Sequence, residues 1–344
     1  MIRFECDYAE GAHPAIMDML IKTNLEQTPG YGEDHYSDEA RTLIRDLCKD
    51  DTLAVHFLVG GTQTNFTVIS AALRPYEGVL CAETGHINVH ETGAVEATGH
   101  KVLPLKSCDG KIDSAQIETA VKAQMDDEAH EHLVKPGMVY ISQPTECGTM
   151  YTCEELKAIS EVCQRYDIYL FVDGARLGYA LASPQNNITL KDMAELTDIF
   201  YIGGTKVGLL FGEAVVIRNE ELKKNFRYMI KQKGGMLAKG RLLGVQFGEL
   251  MKDGLYIKIS EEAVRLAMQI KKAFLDKGIK FLYDSPTNQQ FPILSTEQIG
   301  ILKREFAFSD IKDMGNGLRA VRFCTSWATR EGDVDKLLNE IAAL

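Results

Sequence analysis

No apolar run in this chain approaches the roughly 18 residues that span a bilayer as a helix, so no helical membrane segment is expected. Basic residues are in deficit, 38 Lys+Arg against 49 Asp+Glu, for a net charge of −11, and no Lys/Arg run forms a basic arm. A nucleic-acid partner is therefore not expected, although a small anionic ligand stays open because local groups decide that. The opening Met1-Ile2-Arg3-Phe4-Glu5-Cys6-Asp7 lacks the basic flank and apolar core of a signal peptide. Eight scattered cysteines include no C-x-x-C pair and read as reduced thiols rather than a disulfide frame or zinc site. Together these shortages point to the cytoplasm. The apolar fraction of 45% and the length of 344 residues are enough for one large core and a smaller domain.

From Leu53 onward the pattern alternates strand and helix. Strands are expected at 53–59, 78–82, 101–104, 138–142, 168–172 and 198–202, with another at 214–217. Helices are expected between them at 64–73, 114–124 and 153–166. Unbroken apolar strands alternating with helices predict an α/β protein whose mostly parallel central sheet is covered by helices. Before this region, helices are expected from Ala15 to about Leu25 and from Ser37 to Lys49. After residue 220 long helices follow at 219–231, 237–251 and 259–277. Short strands near 279–282, 291–294 and 319–324 and a helix from about 331 then form a smaller C-terminal α+β domain. The expected division is 1–250 and 251–344.

The chemistry concentrates at strand ends. Ile199-Phe200-Tyr201-Ile202 runs into Gly203-Gly204-Thr205-Lys206, and Tyr169-Leu170-Phe171-Val172 ends in Asp173-Gly174-Ala175-Arg176. Adjacent strand ends of an α/β sheet project side chains to one edge. An amine able to form an imine and a carboxylate able to keep a ring nitrogen protonated are two parts that a pyridoxal phosphate enzyme requires. A lysine among Gly-Gly-Thr and Val-Gly-Leu-Leu-Phe lacks a solvated polar face and favours its neutral form. Asp173, leaving an apolar strand, needs a partner: Arg176 in a structural ion pair, or a cofactor's ring nitrogen. Gly60-Gly61-Thr62 after a strand and before a helix can cradle a phosphate, or be an ordinary turn. His86-Ile87-Asn88-Val89-His90-Glu91 can be read as metal ligands, as a structural histidine, or as an imidazole stacked on a cofactor. Arg322, alternating with Val321 and Phe323, suits a bidentate grip on a carboxylate or an interdomain ion pair.

In order along the chain, Asp7 with Gly11-Ala12-His13-Pro14, Tyr31-Gly32-Glu33-Asp34, Gly61-Thr62-Gln63-Thr64-Asn65, His86, Val172-Asp173-Gly174-Ala175-Arg176, Gly203-Gly204-Thr205-Lys206 and Arg322 resemble the threonine aldolase / β-eliminating lyase family. The resemblance implies a fold-type-I pyridoxal phosphate enzyme of the low-specificity threonine or phenylserine aldolase branch. By it Lys206 would hold the cofactor covalently, Asp173 would meet its ring nitrogen, His86 would stack on it, and Gly61 and Thr62 would hold its phosphate. Gln143 and Glu146 would lie beside it, while Arg176 and Arg322 would secure the substrate carboxylate. A homo-oligomer, dimer or tetramer, is implied, with Tyr31, Lys239 and Arg241 offered to a neighbouring subunit's site. The chain departs from the family at Cys6, where serine is frequent, at His90, where an aromatic phenol is usual, and at Val207.

The implied reaction is Cα–Cβ cleavage of a β-hydroxy-α-amino acid to glycine and an aldehyde, with His86 or His90 taking the hydroxyl proton. Three rivals stand beside it. One is a β-eliminating lyase or aminotransferase using the same cofactor. Another is a non-catalytic protein that binds the cofactor, and the third is a metal hydrolase built on His86, His90 and Glu91.

Overall fold

A computed structural model describes residues 1–344. A two-residue strand, β1 (Ile2–Arg3), precedes helices Pro14–Thr23 and His35–Cys48. Seven strands then build the main sheet: β2 (Ala54–Leu58), β3 (Glu77–Ala82), β4 (Lys101–Leu105), β5 (Lys135–Ser142), β6 (Tyr169–Asp173), β7 (Ile199–Gly203) and β8 (Glu213–Ile217). Their order is β2-β8-β7-β6-β5-β3-β4. Neighbours from β7 through to β4 pair in parallel, and β8 alone runs against both β2 and β7. The carboxyl ends of β2, β3, β5, β6 and β7 therefore share one edge with the start of β8.

Period-two alternation divides the sheet's side chains between two apolar layers. Leu170, Val172, Phe200 and Ile202 pack on one side, and Phe171, Ile199, Tyr201 and Tyr140 on the other. Every residue of β3, β7 and β8 is buried, as expected for strands covered by helices on both faces. Two of the covering helices begin where the sequence places them because of reciprocal caps. Asp113 with Gln116 opens Ser114–Met125, and Thr152 with Glu155 opens Cys153–Arg165.

The C-terminal part contains β9 (Gln289–Gln290), β10 (Ile293–Ser295), β11 (Phe306–Ala307), β12 (Ser309–Gly315) and β13 (Leu318–Cys324). β13 is the centre, antiparallel to β9, β10 and β12, while β11 takes β1 in parallel. Phe4 thereby joins Leu266, Phe274, Phe323 and Leu337 in a third core. The long amphipathic helix Leu255–Asp276 supplies one wall of it.

Several boundaries differ from expectation for identifiable reasons. The helix expected at 219–231 is two, Glu220–Lys223 and Phe226–Gln232, because Asn225 turns left-handed at φ 58°. The strand expected at 279–282 is a single bridge between Phe281 and Pro292. The strand expected at 291–294 is divided into β9 and β10 around Pro292, which has no N–H to give a ladder. β12 escapes a hydrophobicity reading because it is exposed almost throughout. Its hairpin signal is Asn316-Gly317, both at positive φ (52° and 75°).

Candidate active site

At the shared strand edge lies a cavity of about 720 Å³ lined by Gly61, Thr62, His86, Asp173, Arg176, Lys206 and Arg322 among others. Six of these come from strand ends or the turns that follow them, and Arg322 enters from β13. The ends of β6 and β7 approach so closely that only glycine fits. A Cβ on Gly174 would lie 1.8 Å from the Tyr201 carbonyl oxygen, and the Gly203 N–H donates to the Gly174 carbonyl at 2.9 Å. This junction brings Asp173 and the Lys206 turn to one place. The turn is then pinned from outside: the Tyr179 hydroxyl donates to the Lys206 carbonyl at 2.6 Å and Tyr256 to that of Gly203 at 3.1 Å.

Burial lowers the proton affinity of the Lys206 amine, and the Arg176 charge adds to that; Asp7, Asp173 and Glu213 oppose it. The net direction is toward the neutral, nucleophilic amine. Asp173 moves the other way. Burial alone would raise its pKa, but the His86 charge and hydrogen bonds from Tyr140 and the Ala175 N–H (2.9 Å) hold it below the usual carboxylate range. Asn65 adds a further donor to Asp173 at 3.1 Å. Asp173 is thus an ionised acid with its partners in place, and Arg176 is not one of them.

His86 opens the short helix His86–Val89, its backbone N–H donating to Glu146 at 3.1 Å. Its Nδ1 lies 2.7 Å from a Glu91 carboxylate oxygen that also accepts from Asn65 at 2.7 Å. Burial disfavours the imidazolium, but Glu91 and Asp173 outweigh it and raise the His86 pKa. His90 lies with its ring 5.5 Å from that of His86, and burial together with the His86 and Arg322 charges lowers its pKa. His86, His90 and Glu91 do not make a three-group cluster placed to hold a metal ion.

The two arginines divide. Arg176 donates through Nε and Nη2 to the two oxygens of Asp7 at 2.7 and 3.0 Å, a buried bidentate pair. Asp7 also accepts from Asn288 at 2.9 Å. Of the two partners open to Asp173, Arg176 or a cofactor's ring nitrogen, the structure removes the first, because Arg176 pairs with Asp7 from a distant part of the chain. Arg322 donates to Gln289 Oε1 (3.2 Å) and the Glu5 carbonyl (3.1 Å), while its Nε is buried with no partner.

Four anticipated residues do not reach the cavity. The Gln143 amide is spent on Tyr151, donating to its carbonyl at 3.1 Å and accepting from its N–H at 2.9 Å, while Ser142 and Pro144 on either side of it line the cavity. Arg241 is folded back on Thr23 and Glu26, so its guanidinium is not free for a neighbouring subunit. Tyr31, under the Lys231 ammonium at 4.7 Å, and Lys239 are exposed away from this chain's cavity. Conversely, Glu213, Asn65, Thr84 and Tyr201 line it and were not singled out, since Glu213, Asn65 and Tyr201 read as ordinary strand or helix residues and Thr84 as an ordinary turn residue.

The donor set fits a pyridine carrying a phosphate. Arg322 Nε lines the cavity, buried and without a hydrogen-bond partner, a costly state that a polar ligand relieves, and the Tyr201 hydroxyl and Thr84 Oγ1 are buried there with only Asp173 and Cys147 beside them. Helix Gly61–Ala72 points its first N–H groups at the cavity, and Gly60 caps it with no side-chain bond, leaving those donors free for an anion.

Comparison with known proteins gives a consistent picture. The model of the β-eliminating lyases matches residues 5–325. The low specificity L-threonine aldolase of a Pseudomonas species is 32% identical, covering 99% of this chain and 97% of that protein. The solved structure of Leishmania major threonine aldolase is 44% identical with a TM-score of 0.97, covering 100% of this chain and 99% of that one. A Thermus thermophilus aspartate aminotransferase variant shares the fold at 15% identity and a TM-score of 0.73, covering 100% of this chain and 91% of that one.

Proposed function

This chain belongs to the β-eliminating lyase family, and from that premise we propose that it cleaves the Cα–Cβ bond of L-threonine or L-allo-threonine to glycine and acetaldehyde. Its fold is that of the fold-type-I pyridoxal phosphate enzymes. The observation that carries the reading is a nucleophile-prone Lys206 and an ionised Asp173 on the walls of one cavity.

In this reading Lys206 would bond the cofactor, Asp173 would hold its ring nitrogen protonated, and His86 would line the same site. Gly61 and Thr62 receive the phosphate at the helix start. Bound there, the cofactor supplies the electron sink for the pair released when a substrate bond breaks. The chain's own residues choose which bond that is. Arg322, with its unpartnered Nε, and the edge of Arg176 that Asp7 leaves free hold the substrate carboxylate and so orient the Cα–Cβ bond. His86, its Nδ1 fixed by Glu91, presents Nε2 to take the β-hydroxyl proton.

We further read the chain as two domains, 1–250 and 251–344; Asp253 and Gly254, at φ 52° and 71°, turn it at the join. We place it in the cytoplasm, in keeping with eight unpaired cysteines. We also expect a homo-oligomer, dimer or tetramer, in which exposed Tyr31 and Lys239 reach a neighbour's cavity and the buried Arg241 braces their segment. No helix is long and apolar enough to cross a membrane.

The test is product analysis. The yellow protein incubated with L-threonine and L-allo-threonine yields equimolar glycine and acetaldehyde. Formation of 2-oxobutanoate with no glycine would assign it to β-elimination instead, and no product from any amino acid would reduce it to a binding protein.

A further inference from the structure

We propose that Gln289 is a positioning residue for Arg322, fixing the guanidinium through a neutral oxygen so that its charge is kept for the substrate carboxylate. The inference rests on Arg322 gripping that carboxylate. Gln289 opens β9 directly opposite Cys324 of β13, two residues beyond Arg322. Residues two apart on a strand share a face, so Gln289 and Arg322 are diagonal neighbours on one side of the small sheet. Gln289 Oε1 accepts from Arg322 Nη1 at 3.2 Å. On the other side Arg322 Nη2 donates to the Glu5 carbonyl at 3.1 Å. Ser309, paired with Arg322 across β12, holds the same carbonyl at 3.0 Å. Glu5 offers only its main chain here, because its carboxylate turns to Arg3.

Two features set Gln289 apart from a residue that merely fills space. A guanidinium only donates, so the amide must face it with its oxygen. The Gln289 Nε2 is then buried with no partner, in a side chain of 0% exposure. An apolar side chain of similar length would fill the same volume without that unsatisfied group, so the oxygen is what the position requires. Charge is the second feature. Arg176 is neutralised by Asp7 in a buried pair, whereas both acceptors on Arg322 are uncharged. Its Nε, on the cavity wall, has no partner within the chain. Clamped by neutral oxygens, the guanidinium keeps its place and still gives an incoming anion a charge-assisted bond about twice as strong as a neutral one. A glutamate at position 289 would neutralise it from inside the protein.

The deciding measurement is equilibrium binding of glycine and of glycinamide, each read from the change in the holoenzyme's visible band. The two ligands differ only in carrying a carboxylate or a neutral amide. In Gln289→Glu the Kd of glycine rises about 10- to 100-fold, the loss of one charge-assisted hydrogen bond, while that of glycinamide stays within about threefold. In Gln289→Met the guanidinium keeps its charge but loses one clamp, so glycine weakens about 2- to 10-fold and glycinamide is again little changed. A structural role weakens both ligands alike. Equal weakening, or none, in Gln289→Glu therefore overturns the proposal. If that variant does not take up cofactor, the same comparison in Gln289→Met decides. An Arg322→Leu protein that keeps the wild-type preference for glycine over glycinamide refutes the carboxylate assignment itself, a different outcome from either of these.

Discussion

Replacing Asp7 tests the structure at the point where three distant segments meet. Its carboxylate is fully buried and takes two hydrogen bonds from Arg176 and one from Asn288. In Asp7→Ala the Arg176 guanidinium, 12% exposed, keeps its charge with no counter-ion. Removing one partner of a buried pair costs about 3–5 kcal/mol, a third or more of the roughly 5–15 kcal/mol that holds a typical domain together. Asp7→Asn retains the shape and one acceptor for Asn288 but loses the same charge, so it falls within or just below that range. The assay is urea unfolding followed at several pH values. Burial would raise the Asp7 pKa, but Arg176 and Lys206 outweigh it and hold it below its ordinary value of 3.8. A depressed folded-state pKa means the stabilisation is complete above the unfolded value and is lost as pH falls through the lower, folded one. Wild type therefore loses this contribution only below about pH 4, and the difference between wild type and Asp7→Asn shrinks in that same window. An Asp7→Asn protein within 1 kcal/mol of wild type at neutral pH would refute the reasoning.

Three further outcomes follow from the cavity. Arg322→Leu removes charge-assisted hydrogen bonds of about 1.5–3 kcal/mol, so KM for the amino acid rises roughly 10- to 100-fold while the cofactor band is unchanged in steady-state and spectral assays. Glu91→Gln removes the carboxylate that raises the His86 pKa, so the unprotonated imidazole persists to lower pH and the acid limb of the kcat/KM profile moves down. His86→Phe keeps a ring against the cofactor but no proton acceptor, so kcat falls about 10²-fold or more in a protein that stays yellow.

What could be read from the sequence has a physical pattern. Lys206, Asp173 and Gly61 were legible because each follows an apolar run, and strand ends in α/β sheets converge on one edge. The central strands β3, β5, β6 and β7 were legible because nearly all their residues are buried and their runs are mostly apolar. Partnerships were not. Asp7 and Arg176 lie 169 positions apart, and nothing local to either marks the other. Glu213 begins its strand in a position where glutamate is usually solvated, and only the antiparallel pairing of β8 with β7 brings it against Gly204 and Thr205. Gln143 was placed near the cofactor through the segment it occupies, but its side chain turns the other way to satisfy the Tyr151 backbone. β12 was missed because its exposure leaves no hydrophobic period to detect.

The most direct test of the account is the attachment site. Borohydride reduction of the yellow protein, followed by proteolysis and mass spectrometry, should locate the pyridoxyl adduct on Lys206 alone. An adduct on any other lysine, or none on the peptide spanning Gly203 to Leu210, would contradict it.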